Sequence, residues 1–308
     1  MGLVRTLLLR ASNSAWLERQ AKQRAFVQRA VRKFMPGEDL EAALDAAQAA
    51  AGDRIGSILT QLGENVTSAA EADAVRDHYL EVLAAIRARR LPAQISVKPT
   101  HLGIDIDAAA CAGRIRVLAA AASPGHTVWI DMEGSAYTAA TLRLFREVRG
   151  AHENVGVCLQ AYLRRTNDDL TMLLPLVPAI RVVKGAYNEP PTLAYPGKRD
   201  VDEEYFRLAS RLLAMYQKGK AARPVFGTHD MALVERIRAR AHELEVPERA
   251  FEVHMLYGIG TNDQRRLAAE GVPVRVLISY GSAWFPWYMR RLAERPANIW
   301  FVVKSLTR

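Results

Sequence analysis

The 308-residue sequence lacks several features that would assign it to common classes of protein. It has only two cysteines, Cys111 and Cys158, and their spacing is not that of a metal site, so two buried thiols in a reducing compartment are expected. No apolar run approaches the roughly 20 residues that span a bilayer. The apolar part of the opening "MGLVRTLLLR" is too short for a signal peptide. These absences predict a cytoplasmic protein.

Several catalytic motifs are also missing. The seven histidines never occur at the paired H-x-x-x-H spacing, so a zinc site is not expected. The stretch "YGIGTND" has two glycines but lacks the third glycine of the dinucleotide-binding fingerprint. Neither a phosphate-binding loop ending in Gly-Lys-Ser/Thr nor a G-x-S-x-G nucleophile elbow occurs in the sequence.

Basic residues, in contrast, are concentrated at the start of the chain. The net charge is +9, and residues 1–35 hold eight bases and one acid, whereas residues 36–308 hold 34 bases and 32 acids. A basic amphipathic start is typical of segments that contact an acidic membrane surface. The alternative is a solvated helix that packs Leu17, Phe26 and Val27 on the domain. No interleaving of aromatic and basic residues follows, so nucleic-acid binding is not expected.

From Arg54 onward, short apolar runs alternate with amphipathic stretches of about ten to twenty residues. The eight runs are "GSILTQLG", "AQISVKP", "TVWIDME", "VGVCLQAY", "IRVVKGAY", "PVFGTHD", "FEVHML" and "VRVLIS". Eight strand–helix units predict an α/β fold of the (β/α)₈ TIM-like barrel type. Only helical patterns precede them, at roughly residues 14–34 and 40–51. We therefore predict a short N-terminal helical arm over residues 1–53 and a barrel over residues 54–308.

Polar residues recur where the predicted strands end, which is the face that carries the active site in such barrels. The candidates are Lys98, Asp131, Glu133, Gln160, Tyr162, Arg181, Lys184, Thr228, His229, Asp230, Glu252 and His254. A scaffolding protein would not explain this polar rim. A Schiff-base lyase or aldolase stays open, because Lys98 and Lys184 both end strands and a desolvated lysine is a nucleophile.

The motifs "RVVKGAY", "GTHD", "FEVHML" and "WYMRRLAERPAN" together resemble the proline dehydrogenase family, in the family's order and on the expected strands. The resemblance extends from about Ser57 onward. It implies FAD-dependent oxidation of L-proline to 1-pyrroline-5-carboxylate, the first step of proline catabolism, with electrons passed to a membrane quinone. It also implies the single-function bacterial type. If the basic start of the chain contacts a membrane, the expected location is the inner face of the cell membrane. Oxidation of hydroxyproline or another cyclic imino acid is the alternative.

The resemblance also implies roles for particular residues around the substrate. Arg290 and Arg291 match paired arginines that hold the proline carboxylate, and Glu294 lies one helical turn from Arg290 and orients it. Lys98 and Asp131 match an ion-paired lysine and aspartate at the substrate pocket. Ala186 and Leu256 match the apolar wall beside the ring.

For the cofactor, the resemblance assigns Arg181 to the flavin N5, Gln160 to the isoalloxazine edge and Lys184 to the pyrophosphate. The further cofactor contacts that it implies are Val183, Ala186, Lys198 near the adenosine end, Thr228 and His229. At one position the sequence departs from the family pattern. The family has a tyrosine there that covers one side of the substrate ring, and this sequence has Leu277 instead. Either a hydroxylated ring enters the space that this leaves, or Tyr280, Trp284 or Trp287 fills it.

Overall fold

Eight parallel strands close into a barrel in the computed structural model, which describes residues 15–122, 124–221 and 223–294. The strands are β1 (Gly56–Gln61), β2 (Ala93–Val97), β3 (Val128–Ile130), β4 (Val155–Gln160), β5 (Ala179–Val183), β6 (Arg223–Gly227), β7 (Glu252–Leu256) and β8 (Val274–Tyr280). Each strand pairs with the next, and β8 returns to β1 with Gly56 opposite Arg275. The predicted (β/α)₈ fold is confirmed, with all eight strands at the predicted runs.

Helices surround the barrel and precede it. In the described residues they are α1 (Ala15–Gln23), α2 (Ala25–Arg32), α3 (Leu40–Gly52), α4 (Ala69–Ala88), α5 (Ala108–Ala121), α6 (Ser135–Arg149), α7 (Thr166–Leu173), α8 (Lys198–Gln217), α9 (Met231–Glu243), α10 (Thr261–Ala269) and α11 (Trp284–Glu294). Side chains of Asp39, Ser68, Asp107 and Asp230 cap α3, α4, α5 and α9 by accepting from first-turn N–H groups. None of the described helices is both long and apolar enough to cross a membrane.

The barrel is filled by apolar side chains, as expected for parallel strands buried on both faces. All five residues of β2 are buried. Inside the barrel, Ile58, Trp129 and Val225 form a separate buried cluster against which Leu277 packs. Trp129 Nε1 donates to Gln94 Oε1 at 2.7 Å, so the indole N–H is satisfied within this core.

From residue 15, where the described part begins, the predicted arm consists of three helices. The helical pattern at 14–34 is divided into α1 and α2 at Arg24, whose backbone is extended at φ −96° and ψ 112°. Leu17 and Val27 both pack on one buried cluster, as the packed-helix interpretation expects. The structure does not describe the side chain of Phe26, so its predicted packing stays a prediction.

The third helix, α3, packs against β1 and β8. Its Leu44 and Ala47 belong to the same buried cluster as Leu59 of β1 and Ile278 of β8. The domain boundary at residue 54 stays a prediction, and α3 shares its core with the barrel.

Candidate active site

A cavity of about 630 Å³ lies among the loops that follow the strands, a volume within the usual range for small-molecule sites. Every strand, or the loop after it, contributes to the lining. The lining includes twelve residues that the resemblance assigned to the substrate or the cofactor: Lys98, Asp131, Gln160, Arg181, Val183, Lys184, Ala186, Lys198, Thr228, His229, Leu256 and Leu277. The fold therefore brings together side chains that lie up to 179 positions apart, from Lys98 to Leu277.

Arg181, only 5% exposed, forms an ion pair with Asp131. Ser96 links the two residues, because its Oγ donates to Asp131 Oδ1 at 2.7 Å and accepts from Arg181 Nη2 at 3.0 Å. The Arg181 guanidinium also lies 5.0 Å from the centre of the Trp129 ring. Since a buried charge needs a counter-charge, the nearest carboxylate pairs with the arginine. The predicted ion pair between Lys98 and Asp131 was wrong.

The Lys98 backbone is fixed by the short 3₁₀ turn that follows it, Pro99–Leu102. Buried Glu133 holds this turn by accepting from the Thr100 N–H at 3.0 Å and from the Thr100 hydroxyl at 2.6 Å. Burial raises the pKa of Glu133, and the two hydrogen bonds from Thr100 oppose that rise. Gln160 Nε2 donates to the Glu133 carbonyl at 2.9 Å, so Glu133 fixes both the turn after Lys98 and the end of β4.

Two lysines and two aspartates form a network at the β5–β6 side of the cavity. Lys184 Nζ donates to Asp202 at 2.5 Å and to Asp230 at 2.8 Å, and Lys198 also pairs with Asp202. The hydrogen bond from Lys184 lowers the pKa of Asp230. For Asp202, burial raises the pKa, but the hydrogen bonds from Lys184 and Lys198 outweigh this effect, so the pKa is lowered. Both contacts hold the Lys184 Nζ between carboxylates, whereas a Schiff-base nucleophile must have its nitrogen directed at a carbonyl carbon. This geometry disfavours the lyase interpretation.

The loop after β5 approaches the cavity closely at Gly185. Its φ of +115° favours glycine, and a Cβ there would lie 2.2 Å from the ring of Tyr162. On the neighbouring strands, the Leu256 N–H donates to His229 Nε2 at 3.0 Å and the Thr228 N–H donates to the His254 carbonyl at 3.1 Å. These contacts fix the β6 and β7 ends of the lining.

Glu252 lies at the opposite end of the barrel from the cavity, so its assignment to the polar rim was wrong. It is the first residue of β7, and it accepts from Arg275 Nε at 3.0 Å and from Arg223 at 2.8 Å. Arg275 is in register with Gly56, the first residue of β1. Glu252 thus stabilises the end where the strands begin.

His254 stands between Glu252 and the cavity, which it also lines. Burial lowers the pKa of His254 to about 4, against the opposing effect of Glu252. The imidazole is therefore neutral near pH 7, and its Nε2, 2.8 Å from Glu252 Oε2, carries the proton. Among the described residues its Nδ1 has no hydrogen-bond partner, which leaves one buried acceptor beside the cavity.

The paired arginines lie on α11, but the side chains of Arg290, Arg291 and Glu294 are outside the described ones. What the structure describes is the packing of this helix. Trp284 and Phe285 belong to a buried aromatic cluster, and Trp287 belongs to the same cluster and also lines the cavity.

Several residues of the site were not predicted from the sequence. Ser96 lies two positions before Lys98, and Trp129 lies two positions before Asp131. Residues two apart along a strand point to the same face, so each shares the face of a predicted residue. This period of two could have identified both. Phe34, by contrast, reaches the lining from the N-terminal arm, and no local pattern indicated it.

Solved structures with the same architecture include two proteins named proline utilization A (PutA). The one from Bdellovibrio bacteriovorus, inactivated by N-propargylglycine, matches with a TM-score of 0.79 and 24% identity over 86% of this chain and 32% of that one. The one from Corynebacterium freiburgense matches with a TM-score of 0.71 and 21% identity over 95% of this chain and 33% of that one. This chain spans about a third of their length, and the likeness supports the fold.

Similarity in sequence is closer and extends along the whole chain. Proline dehydrogenase from Deinococcus radiodurans is 34% identical over 310 residues, which cover 99% of this chain and 98% of that protein. Proline dehydrogenase 2 from Bacillus subtilis strain 168 is 33% identical and covers 99% of both chains. The family model described as Proline dehydrogenase matches residues 43–304. The chain therefore belongs to the proline dehydrogenase family, and it is an enzyme of that family.

Proposed function

We propose that the protein oxidises L-proline to 1-pyrroline-5-carboxylate with FAD as its redox cofactor, and that the electrons pass to a membrane quinone. Membership of the family supports proline as the substrate. The observation that carries the proposal is that twelve residues assigned to proline or flavin line one cavity.

The donor set of the cavity fits a flavin dinucleotide. The buried Arg181 guanidinium beside Trp129 supplies positive charge, which stabilises negative charge that develops in a reduced ring. Lys184 and Lys198 line the cavity and are proposed to donate to a diphosphate with the ammonium N–H groups that their ion pairs with Asp202 and Asp230 leave over. The buried His254 Nδ1, unpartnered among the described side chains, is an acceptor for an N–H group of a planar heterocycle. FAD, when bound, would supply the redox chemistry by accepting a hydride from the ring CH₂ group next to the proline nitrogen, while the nitrogen loses a proton as the C=N bond forms.

The residues assigned to the substrate combine charge with an apolar wall. Leu256, Leu277 and Trp287 line the cavity and offer apolar surface on which a pyrrolidine ring would pack. Arg290 and Arg291 are proposed to hold the carboxylate from two directions on α11. A ring held at both ends keeps its reacting C–H bond in position for transfer.

The cheapest test of this function is the colour of the purified protein. We expect yellow protein whose flavin absorbance bleaches under anaerobic conditions when L-proline is added. Such bleaching would remove the lyase and scaffold alternatives together. Colourless protein that cannot be reconstituted with FAD would contradict the proposal. Faster bleaching by hydroxyproline than by proline would instead favour the cyclic imino acid alternative.

Delivery of electrons to a quinone requires contact with a bilayer, and the arm has the composition for such contact. Trp16 on α1 is 62% exposed, and the neighbouring Arg24, Arg29 and Arg32 are also exposed. Exposed tryptophan and arginine suit the interface of an acidic membrane. We therefore propose that the enzyme lies in the cytoplasm and binds the inner face of the cell membrane through this arm.

A further inference from the structure

The end of the N-terminal arm packs directly on the helix that carries the paired arginines. Val31 and Met35 are buried with Trp284, Phe285, Trp287 and Tyr288 of α11 in one cluster, which also includes Leu62 and which we call the arm cluster. Glu38 accepts from Trp284 Nε1 at 2.8 Å, and the rings of Phe34 and Tyr288 lie 6.3 Å apart. Residues 31–38 therefore have a defined position relative to α11.

The same segment also contacts the loop after β7. A Cβ on Gly258, where φ is +71°, would lie 1.7 Å from the carbonyl oxygen of Lys33 and 3.5 Å from the Cα of Phe34. No side chain fits in that space, so the two backbones touch. This contact fixes the backbone of Lys33 and Phe34 against the loop that continues to Ile259, and Phe34 and Ile259 both line the cavity.

Phe34 is thus on the apolar side of the cavity. It packs on the arm cluster, whose Leu62 and Trp287 also line the cavity, and the apolar lining residues of the adjacent strands are Leu256 and Ile259 from β7 and its loop and Leu277 on β8. Strands β7, β8 and β1 are consecutive in the closed barrel. Lys184 and Lys198, the proposed diphosphate contacts, lie instead at the loop after β5 and the start of α8. Phe34 therefore faces the substrate end and not the diphosphate end.

We propose that Phe34 is a substrate-specificity residue that limits the ring size of the imino acid in the cavity. This inference rests on the proposed function, and it names a wall residue that comes from outside the barrel. The half-buried phenyl ring of Phe34, which packs on the cluster of Trp287 and lines the cavity, occupies space that an extra ring atom or a substituent would need. Overpacking by one methylene group in a tight apolar site reduces kcat/KM by about 10- to 200-fold.

The test compares L-proline with its six-membered homologue, L-pipecolate, by kcat/KM with a soluble dye as electron acceptor. In Phe34→Ala and Phe34→Leu the ratio of pipecolate to proline should rise, by about tenfold or more in the alanine variant. In Phe34→Trp it should fall. FAD content should equal that of the wild type in all three variants, because Phe34 lies away from Lys184 and Lys198.

The matched control is Met35→Ala. Met35 is adjacent to Phe34, is 3% exposed and packs in the same arm cluster, but it is not among the residues that line the cavity. Its truncation should reduce stability while the pipecolate-to-proline ratio stays at the wild-type value. An equal change of ratio in Met35→Ala, or an unchanged ratio in the Phe34 variants, would overturn the inference. Wild-type protein that oxidises neither compound would contradict the proposed function itself.

Discussion

Asp131 and Arg181 form an ion pair inside the barrel, although they are 50 positions apart in the sequence. Asp131 directly follows β3, and Arg181 lies within β5. Ser96 completes the contact from β2, so three strands converge on one guanidinium. The arginine proposed to face the flavin is therefore fixed by the aspartate proposed to face the substrate. A change at either residue will affect the position of the other.

Asp131→Asn should reduce stability as well as activity. Asparagine keeps a hydrogen bond to Ser96 but leaves the buried Arg181 without its counter-charge. Neutralising one partner of a buried ion pair leaves the other charge uncompensated, which lowers the free energy of unfolding by about 3 kcal/mol. Urea unfolding at a fixed FAD concentration measures this change.

The control for that variant is Asp53→Asn, which breaks the exposed ion pair of Asp53 with Arg265, 2.8 Å apart. Exposed pairs contribute about 0–1 kcal/mol, so the midpoint of unfolding should hardly move. Equal losses in the two variants would mean that burial of Arg181 does not determine the strength of its pair.

The strands were predictable because each is an apolar run bounded by helical patterns, and side-chain period and run length are local properties. The partner of Asp131 was not predictable, because Lys98 and Arg181 are both basic and only the closed barrel determines which is nearer. Glu252 was placed at the wrong end because it shares a strand face with His254, yet two residues along a strand are about 6.6 Å apart. Phe34 reaches the site through packing of the arm on α11, a contact without a sequence signature.

Arg290→Lys and Arg291→Lys should weaken proline binding and spare the flavin. Lysine keeps the charge but loses the planar two-point contact with a carboxylate. The loss of one charge-assisted hydrogen bond corresponds to about tenfold to a hundredfold weaker binding. Proline titration of the flavin spectrum measures the affinity, and FAD content serves as the control. Unchanged proline binding in both variants would assign the pair to a solvated helix surface.

His254 should make stability fall as the pH is lowered from neutral. The unfolded histidine binds a proton near pH 6.5, whereas burial delays protonation in the folded protein to a pKa of about 4. Between these values the unfolded state holds more protons, so the free energy of unfolding decreases and then levels off below about pH 4. His101 has the same direction, since burial also lowers its pKa to about 4.

In His254→Gln the amide still donates to Glu252, so the loss of stability between pH 6.5 and 4 should be smaller than in the wild type. Unfolding midpoints at half-unit pH steps measure the slope. The matched control, His242→Gln, changes an exposed imidazole and should leave the wild-type slope intact. Identical slopes in His254→Gln and the wild type would show that this histidine does not remain neutral on folding.

Membrane contact through the arm is tested better by charge reversal than by deletion of residues 1–35. Such a deletion would remove Val31 and Met35 from the arm cluster and Phe34 from the cavity. Arg24→Glu, Arg29→Glu and Arg32→Glu together should weaken binding to acidic liposomes, by up to about 1 kcal/mol per removed base at low salt. Activity with a soluble dye should stay near that of the wild type.

The matched control reverses Lys218 and Lys220, which are exposed after α8 on the barrel and far along the chain from the arm. Liposome binding by Lys218→Glu with Lys220→Glu should equal that of the wild type. Equal weakening in both sets would indicate a general charge effect, and no weakening in either would leave the arm as packed helices without a membrane role.

Leu277→Tyr should sharpen the preference for proline over hydroxyproline. Leu277 packs against the cluster of Ile58, Trp129 and Val225 and lines the cavity. Three aromatic residues were candidates to fill the neighbouring space, and of these Trp287 lines the cavity. The other two make contacts elsewhere: the Tyr280 hydroxyl lies 2.9 Å from His78, and Trp284 Nε1 donates to Glu38. One side of the substrate end is therefore bounded by leucine and tryptophan.

Leucine cannot hydrogen-bond a 4-hydroxyl group, so the wild type should tolerate hydroxyproline without preferring it. An apolar pocket rejects an added hydroxyl by about a hundredfold at most, which sets the upper limit of the wild-type ratio of kcat/KM. The tyrosine ring takes up space beside the substrate and should raise that ratio. Leu277→Met is the control, because it keeps apolar volume and adds no ring, and its ratio should match the wild type. Wild-type protein that oxidises hydroxyproline faster than proline would reverse the substrate assignment, and an unchanged ratio in Leu277→Tyr would remove Leu277 from the substrate wall.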